Sequence, residues 1–190
     1  RTNGRNIKMK TDETEYENKG IEGLEIVDEN WIEDIKTVFK KTPFEYPFPN
    51  QQTEAFFTVI WNKSLKAFDS PREVKVIVDA KDDLYVSVGT FGFVSFKDQE
   101  EQLGGMKIPL KCWIHTHPFG QAFFSGTDWK TIHSWKGMME SATVLGDNQF
   151  ISYDCDSEIA KRVQYAIYQQ EPSKPEWVKV AENTLDGEEE

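Results

Sequence analysis

Cysteine and histidine are scarce in this sequence, and no long stretch of it is purely apolar. Its 190 residues include two cysteines and three histidines. Because Cys112 and Cys155 do not form a CxxC pair, a structural zinc site built on cysteines is excluded. We interpret the two cysteines as buried free thiols in a reducing compartment, which predicts a cytoplasmic protein. A single disulfide between them is the open alternative. No apolar run approaches the roughly 20 residues of a membrane span, so we expect no membrane partner.

Basic residues are outnumbered as well. Lysine and arginine total 22 against 33 aspartates and glutamates, which gives a net charge of −11. Since nucleic acids are bound mainly by lysine and arginine at the phosphates, a nucleic-acid partner is excluded. A hydrophobic fraction of 38% with 13% aromatic residues is typical of a folded globular chain. The composition therefore predicts one acidic, soluble domain.

The polar ends predict where this domain begins and ends. Residues 1–22 are polar and aperiodic, so we expect a disordered or loosely ordered segment there. The domain itself is expected to span 23–170. Residues 171–190 are interpreted as an acidic tail, in which 177–180 could still dock as a short edge strand or bind a partner.

Hydrophobic periodicity predicts an α/β domain. A helix is expected after Asn30, with a capping box to Glu33, and another after Ser125. Residues 54–61 form a continuous aromatic and β-branched run and are expected to be a strand. The other expected strands lie at 73–78, 84–88, 90–96, 110–115, 142–145 and 150–153. Ser157 is expected to cap a last helix that carries Ile159, Val163, Ala166 and Ile167. This order predicts a mixed, curved sheet flanked by helices and not a doubly wound one.

All three histidines lie between residues 115 and 133. His115 and His117 are two residues apart on a predicted strand, so their imidazoles should leave it on the same side. Pro118 ends the strand, and the chain returns to a helix with Asp128 in its first turn. Two imidazoles and one carboxylate are a usual zinc set that leaves a fourth position open for water. The sequence therefore predicts one catalytic Zn²⁺ bound by His115, His117 and Asp128.

This ligand set predicts hydrolysis. A zinc ion held in this way lowers the pKa of its bound water to about 7. A second carboxylate, which is not a ligand, must then take the proton of the water and pass it to the leaving amine. Ser125, at the helix start, is placed to donate a hydrogen bond to the oxyanion of the tetrahedral intermediate. Taken alone, Ser125 and Asp128 would be an ordinary helix cap, so the metal interpretation depends on the whole spacing.

The spacing resembles that of a known family. H-x-H, seven residues and then S-x-x-D is the JAMM signature of the MPN+ metalloproteases, and every fixed position is filled here. Residues 113–118 and 122–125 resemble the AMSH-type deubiquitinases in particular. The resemblance covers 24–170, and its specific part is 113–129. It implies the JAB/MPN fold, which is cytidine-deaminase-like, the same three metal ligands, Ser125 as the oxyanion donor, and a substrate that is ubiquitin or a ubiquitin-like protein bound through its extended tail.

The general base of that family is a glutamate several tens of residues before the histidines. Glu54, 61 positions before His115, is the first candidate, and Glu73, which opens the next predicted strand, is the second. The family pattern Glu-x-x-Gly-x-x-x-Gly is not kept at Glu54, where Phe57 and Trp61 take the glycine positions. The second zinc cluster of AMSH-type enzymes has no counterpart either, so no linkage preference is implied.

Two alternatives remain open at this point. One is a JAMM peptidase of the prokaryotic or viral kind that acts on sulfur-carrier proteins or other peptides. The other is a non-catalytic MPN scaffold that pairs with a partner subunit. Cleavage assays separate the first from a deubiquitinase, and metal analysis with turnover separates the second from both.

Overall fold

The computed structural model describes residues 30–66, 71–88, 105–118, 120–171 and 174–186. The helices in this part of the chain are α1 (Trp31–Lys40), α2 (Gln51–Lys66) and α3 (Gly126–Ser134). The strands are β1 (Val74–Val78), β2 (Leu84–Val88), β3 (Cys112–Thr116), β4 (Ser141–Gly146), β5 (Gln149–Asp154), β6 (Ile159–Glu171) and β7 (Lys174–Asp186). The predictions for residues 1–22 and for a strand at 90–96 lie outside the described residues.

The strands form one seven-stranded sheet in the order β2-β1-β3-β4-β5-β6-β7. Neighbouring strands are antiparallel except for β3 and β4, which are parallel. The connection between these two strands contains α3, as a parallel pair requires a crossover. The prediction of an α/β chain with a mixed sheet is confirmed.

The two faces of the sheet carry different layers. Helices α1 and α2 cover one face, where Phe56 and Ile60 belong to the same buried cluster as Val76 and Ile114. Helix α3 covers the other face with Trp129 and Ile132. The strand residues of this second cluster include Ile77, Trp113, Val144 and Ile151. Because successive side chains of a strand point to opposite faces, His115 lies on the α3 side of the sheet.

The strand predicted at Glu54–Trp61 is wrong, since this segment lies inside α2. Phe56, Phe57, Ile60 and Trp61 are all buried, and their spacing at i, i+1, i+4 and i+5 forms one helical stripe against the sheet. The aromatic and β-branched residues favoured a strand over eight positions. Tertiary packing of a 16-residue helix overrides that local preference.

The helix predicted from Ser157 is also wrong. Ile159–Glu171 is strand β6, paired with β5 through residues 159–164 and with β7 along its length. The Ser157 hydroxyl donates to Asp154 Oδ2 at 2.5 Å, within the turn that leads into β6. Residues 174–186, expected as a tail with a short edge strand as the alternative, form the 13-residue strand β7 at the end of the sheet. The sheet therefore extends well beyond residue 170.

Other local predictions have mixed outcomes. Helix α1, the β1–β2 hairpin, β3 and the β4–β5 hairpin are confirmed. The capping box predicted at Asn30 is wrong, because its side chain makes no capping hydrogen bond. Cys112 and Cys155 are free thiols, so the disulfide alternative is wrong. Among the described residues, none of the helices is both long enough and apolar enough to span a membrane.

Candidate metal centre

Strand β3 delivers both histidines to the site. His115 lies inside the strand and is 2% exposed. His117 follows the strand end, where its backbone N–H donates to the Leu145 carbonyl at 2.7 Å and continues the parallel pairing with β4. The two imidazole rings are 5.0 Å apart, and the Trp113 ring stacks on His115 at 4.7 Å. The backbone thus holds two imidazoles side by side, as the i, i+2 spacing predicted.

Asp128 is fixed by the start of α3. The Ser125 backbone N–H donates to Asp128 Oδ2 at 2.7 Å, and the Asp128 backbone N–H donates to Ser125 Oγ at 3.2 Å. This reciprocal pair is a complete capping box. It holds the carboxylate, 7% exposed, through one oxygen and leaves Oδ1 towards His115.

The three side chains converge. His115 Nε2 lies 3.2 Å from Asp128 Oδ1, and His117 Nε2 lies 3.9 Å from Asp128 Oδ2. One ligand atom of each residue lies within 4.8 Å of the other two. A tetrahedral zinc site with bonds of about 2.0–2.1 Å separates its ligand atoms by roughly 3.3 Å. The group is therefore close to the size that a metal ion requires.

The hydrogen bonding of His115 fits the same interpretation. Both of its ring nitrogens are buried, and neither makes a hydrogen bond of good geometry within the described part of the chain, although Nε2 lies 3.2 Å from Asp128 Oδ1 and interacts with it. Buried polar atoms normally find a partner, and an exception points to a missing group. Two imidazoles and a carboxylate are the donors that zinc prefers. These residues can hold a metal ion.

Electrostatics keeps two of the ligands in the protonation state that metal binding needs. Burial, together with the charge of His115, lowers the pKa of His117 to about 4, although Asp128 and a hydrogen bond with the Gln121 backbone act in the other direction. Burial acts to raise the pKa of Asp128, but the charge of His115 and the hydrogen bonds from Ser125 outweigh it and lower this pKa to about 2. At neutral pH His117 is neutral and Asp128 is ionised, as metal ligands must be.

Glu73 lies next to this group. Strand β1 pairs with β3 so that Lys75 faces His115, and the Val74 N–H donates to Thr116 Oγ1 at 2.9 Å. Continuing the antiparallel register brings Glu73 opposite His117, on the same face of the sheet. Burial and the negative charge of Asp128 raise the pKa of Glu73 to about 8. The Glu73 carboxylate is half-buried, and it lies close enough to Asp128 for the two negative charges to repel each other.

Glu54 lies elsewhere. It belongs to the first turn of α2, and α2 packs on the face of the sheet opposite the histidines. The structure thus brings Glu73, the second candidate, to the His115 and His117 face and leaves the first candidate in the other layer. An alternation in the sequence could have indicated this, since the charged residues Glu73 and Lys75 alternate with Val74, Val76 and Val78.

Three residues around His117 were missed by sequence reasoning, namely Gln121, Arg162 and Gly146. Gln121 makes a backbone hydrogen bond with the His117 ring. Arg162 contacts the same loop, and Gly146 lies beneath it. Phe123, 46% exposed, has its ring 4.8 Å from His117. Gly146 directly follows the strand expected at 142–145, and nothing in the sequence links it or Arg162 to the histidines.

His133 does not join the group. It is exposed on α3 and its ring lies 6.0 Å from that of Trp129. The sequence also placed it outside the ligand set, five positions beyond Asp128. Among the described residues, His115, His117 and Asp128 form the single cluster with metal-binding spacing.

Comparison with known proteins gives no relative from which to transfer a function. No protein-family model, no curated protein and no solved structure matches this chain. The resemblance in residues 113–129 therefore stays at the level of a motif.

Proposed function

We propose that the protein is a zinc-dependent JAMM-type hydrolase that cleaves a peptide or isopeptide bond, with ubiquitin or a ubiquitin-like protein as the substrate class. The observation that carries this proposal is the buried convergence of His115, His117 and Asp128 within 4.8 Å. The mixed sheet with helices on both faces is compatible with the MPN fold that we propose for it. The substrate class comes from the resemblance of residues 113–118 and 122–125 to the AMSH-type deubiquitinases.

Glu73 is the general base in this proposal, in place of Glu54. A zinc ion at the site would supply a bound water whose pKa is about 7. Glu73 accepts the proton of the attacking water and delivers it to the leaving amine. Its raised pKa reflects burial and the negative charge of Asp128, and a cation among the ligands would lower that pKa again. The carboxylate is then ionised at neutral pH, when it must act as a base.

The family pattern is incomplete at either glutamate. Counting from Glu73, the two glycine positions are occupied by Val76 and Ala80. Val76 is buried in the cluster beneath α1 and α2, so its side chain contributes to the core on the far side of the sheet. Glu73 is preferred because of its register with β3 and its interaction with Asp128, not because of a better sequence match.

Ser125 stabilises the oxyanion. Its Oγ accepts the backbone N–H of Asp128 at 3.2 Å, and this bond uses a lone pair and not the hydroxyl proton. The O–H lies beside the Asp128 carboxylate and turns to donate to the developing negative charge on the scissile carbonyl oxygen. The same hydroxyl also caps α3, so the helix fixes the position of the donor before substrate binds.

A second candidate keeps the chemistry and changes the substrate. It is a peptidase that acts on sulfur-carrier proteins or other peptides. One metal-binding cluster is found among the described residues, and the sequence has no spare cysteines and histidines for the additional zinc cluster of AMSH-type enzymes. This observation favours a substrate outside the polyubiquitin chains that those enzymes cut.

Metal analysis and cleavage assays test the proposal together. We expect one zinc per chain after dialysis, and cleavage that stops with a chelator and returns with zinc. The substrates are ubiquitin chains, a ubiquitin-like protein with a C-terminal extension and a panel of short peptides. Cleavage of the peptides alone selects the second candidate. A chain that binds no zinc refutes the metal centre, and stoichiometric zinc without any turnover selects the scaffold.

A further inference from the structure

The backbone at Gln121 and Ala122 passes directly over Gly146. A Cβ atom on Gly146 would lie 2.2 Å from the Ala122 backbone nitrogen and 2.6 Å from the Gln121 carbonyl carbon. Both distances are far below van der Waals contact, so the loop occupies the space that any side chain at this position would need. The glycine lets residues 120–124, here called the metal loop, lie flat on the end of β4.

Hydrogen bonds hold the metal loop on both sides of Gly146. The Asp147 backbone N–H donates to the Gly120 carbonyl at 2.9 Å. The ring of His117 bonds to the Gln121 backbone, and Arg162 Nη1 donates to the Ala122 carbonyl at 2.7 Å. Gln121 and Ala122 are adjacent, so Arg162 and His117 hold neighbouring peptide units that meet at the Ala122 Cα.

Arg162 reaches the loop from a distant strand. Arg162 is paired with Ile151, Ile151 with Val144 and Val144 with His115, so the four residues form one row across the sheet. Three strand spacings of about 4.8 Å separate Arg162 from His115 in this row. The guanidinium also donates to Gln149 Oε1 at 2.7 Å, which fixes its direction. Hydrogen bonds with an ionised donor are about twice as strong as neutral ones. The Ala122 carbonyl is thus held by a charge-assisted hydrogen bond from a residue of the sheet.

We propose that Arg162 is a positioning residue for the metal ligand His117, acting through the backbone of Ala122 and Gln121. Its relevance to catalysis depends on the function proposed above, whereas its effect on metal affinity does not. His117 Nε2 is the nitrogen near Asp128, so we assign the bond with Gln121 to Nδ1. A backbone carbonyl that accepts from Nδ1–H fixes the tautomer and directs the Nε2 lone pair at the metal.

Zinc affinity of three variants tests this inference. Arg162→Met should weaken zinc about 10- to 100-fold, the usual cost of losing an outer partner of a metal ligand. Arg162→Lys keeps a cationic donor and should recover part of the loss. Lys161→Met is the matched control, because Lys161 pairs with Glu182 and lies over the Phe48 ring instead of the loop. Its zinc affinity, measured by competition with a chromophoric chelator, should equal that of the wild type.

The tautomer of His117 gives a second readout that a purely structural role would not change. In the metal-free wild type, imidazole nitrogen NMR should show the Nδ1–H form alone. In folded Arg162→Met the two tautomers should be mixed, while Lys161→Met keeps the single form. Wild-type zinc affinity and a single tautomer in Arg162→Met would overturn the inference.

A second variant tests the inference in case Arg162→Met does not fold. If Arg162→Met does not fold, Gly146→Ala displaces the same loop from below and should also mix the tautomers and weaken zinc. Unchanged values in that variant would overturn the inference as well. If the wild-type protein binds no zinc, the proposed function fails, but the tautomer comparison still decides the role of Arg162.

Discussion

Replacing Glu73 with glutamine should stabilise the metal-free protein and, at the same time, remove most of its turnover. In the folded chain, burial and the charge of Asp128 raise the pKa of Glu73 from 4.5 to about 8. Between these two pH values the unfolded chain releases the proton and the folded chain keeps it. Folding therefore loses about 1.4 kcal/mol for each pH unit across this window. Glutamine has no proton to lose and avoids that cost.

The gain in stability expected for Glu73→Gln follows from the difference between the two pKa values of Glu73. The full shift corresponds to at most about 5 kcal/mol at pH 8. Because Glu73 is only half-buried, solvent screens part of the interaction, and we expect about 2–3 kcal/mol. Loss of a general base costs typically 100- to 10,000-fold in turnover. A gain in stability with a loss of activity is the signature of a residue kept for function.

Two measurements check this prediction. Denaturant unfolding of metal-free Glu73→Gln and wild type at pH 5 and pH 8 should show stabilities that differ more at pH 8. Turnover of the zinc-loaded variant should fall with its zinc content unchanged. Glu54→Gln is the matched control from the opposite layer and should alter neither quantity. If Glu54→Gln loses activity and Glu73→Gln does not, the assignment of the base is refuted.

Three more predictions concern the ligands and the oxyanion donor. Asp128→Ala should bind zinc far more weakly, because three protein ligands become two; stoichiometric zinc after dialysis would contradict the ligand set. Ser125→Ala should lower kcat about 100- to 1,000-fold through the lost oxyanion donor and cost about 1 kcal/mol through the lost cap, with zinc retained; unchanged kcat would remove Ser125 from the mechanism. In metal-free Glu73→Gln, which lacks the opposing contribution of Glu73, acidification from pH 6.5 to pH 4 should destabilise the fold by up to about 3 kcal/mol, because His117 takes up a proton in the unfolded chain but stays neutral in the folded chain down to about pH 4. When His117→Ala is added to this variant the pH dependence should be smaller, and an equal dependence in urea titrations would contradict the shift.

The site could be predicted from the sequence better than the fold around it. His115 and His117 needed only the two-residue period of a strand, and Asp128 needed only a helix start. These are local rules, and the structure brings the three side chains together as they implied. Glu73 also follows a local rule, the alternation of charged and apolar residues along a strand. The choice between Glu54 and Glu73 depended, however, on knowing that residues 54–61 form a helix and not a strand.

The two misassigned segments show why the rest could not be predicted. Residues 54–61 have the aromatic and β-branched residues of a strand, but their burial is decided by packing against β1, β3 and β4. Residues 159–167 show helical spacing, but they form a strand because β5 and β7 provide hydrogen-bonding partners on both sides. In both segments long-range contacts outweigh local propensity. Such contacts are absent from a single sequence.

The capping box at Ser125 and Asp128 has one further consequence. Small zinc domains commonly stay unfolded until the ion arrives, so that their stability depends on the metal supply. Here the first turn of α3 has already immobilised the carboxylate through Oδ2, and Oδ1 needs no reordering to face the imidazoles. The hydrogen bonds that cap the start of α3 thus also hold a metal ligand in position. A chain made under zinc starvation should fold normally and become active as soon as the ion is supplied.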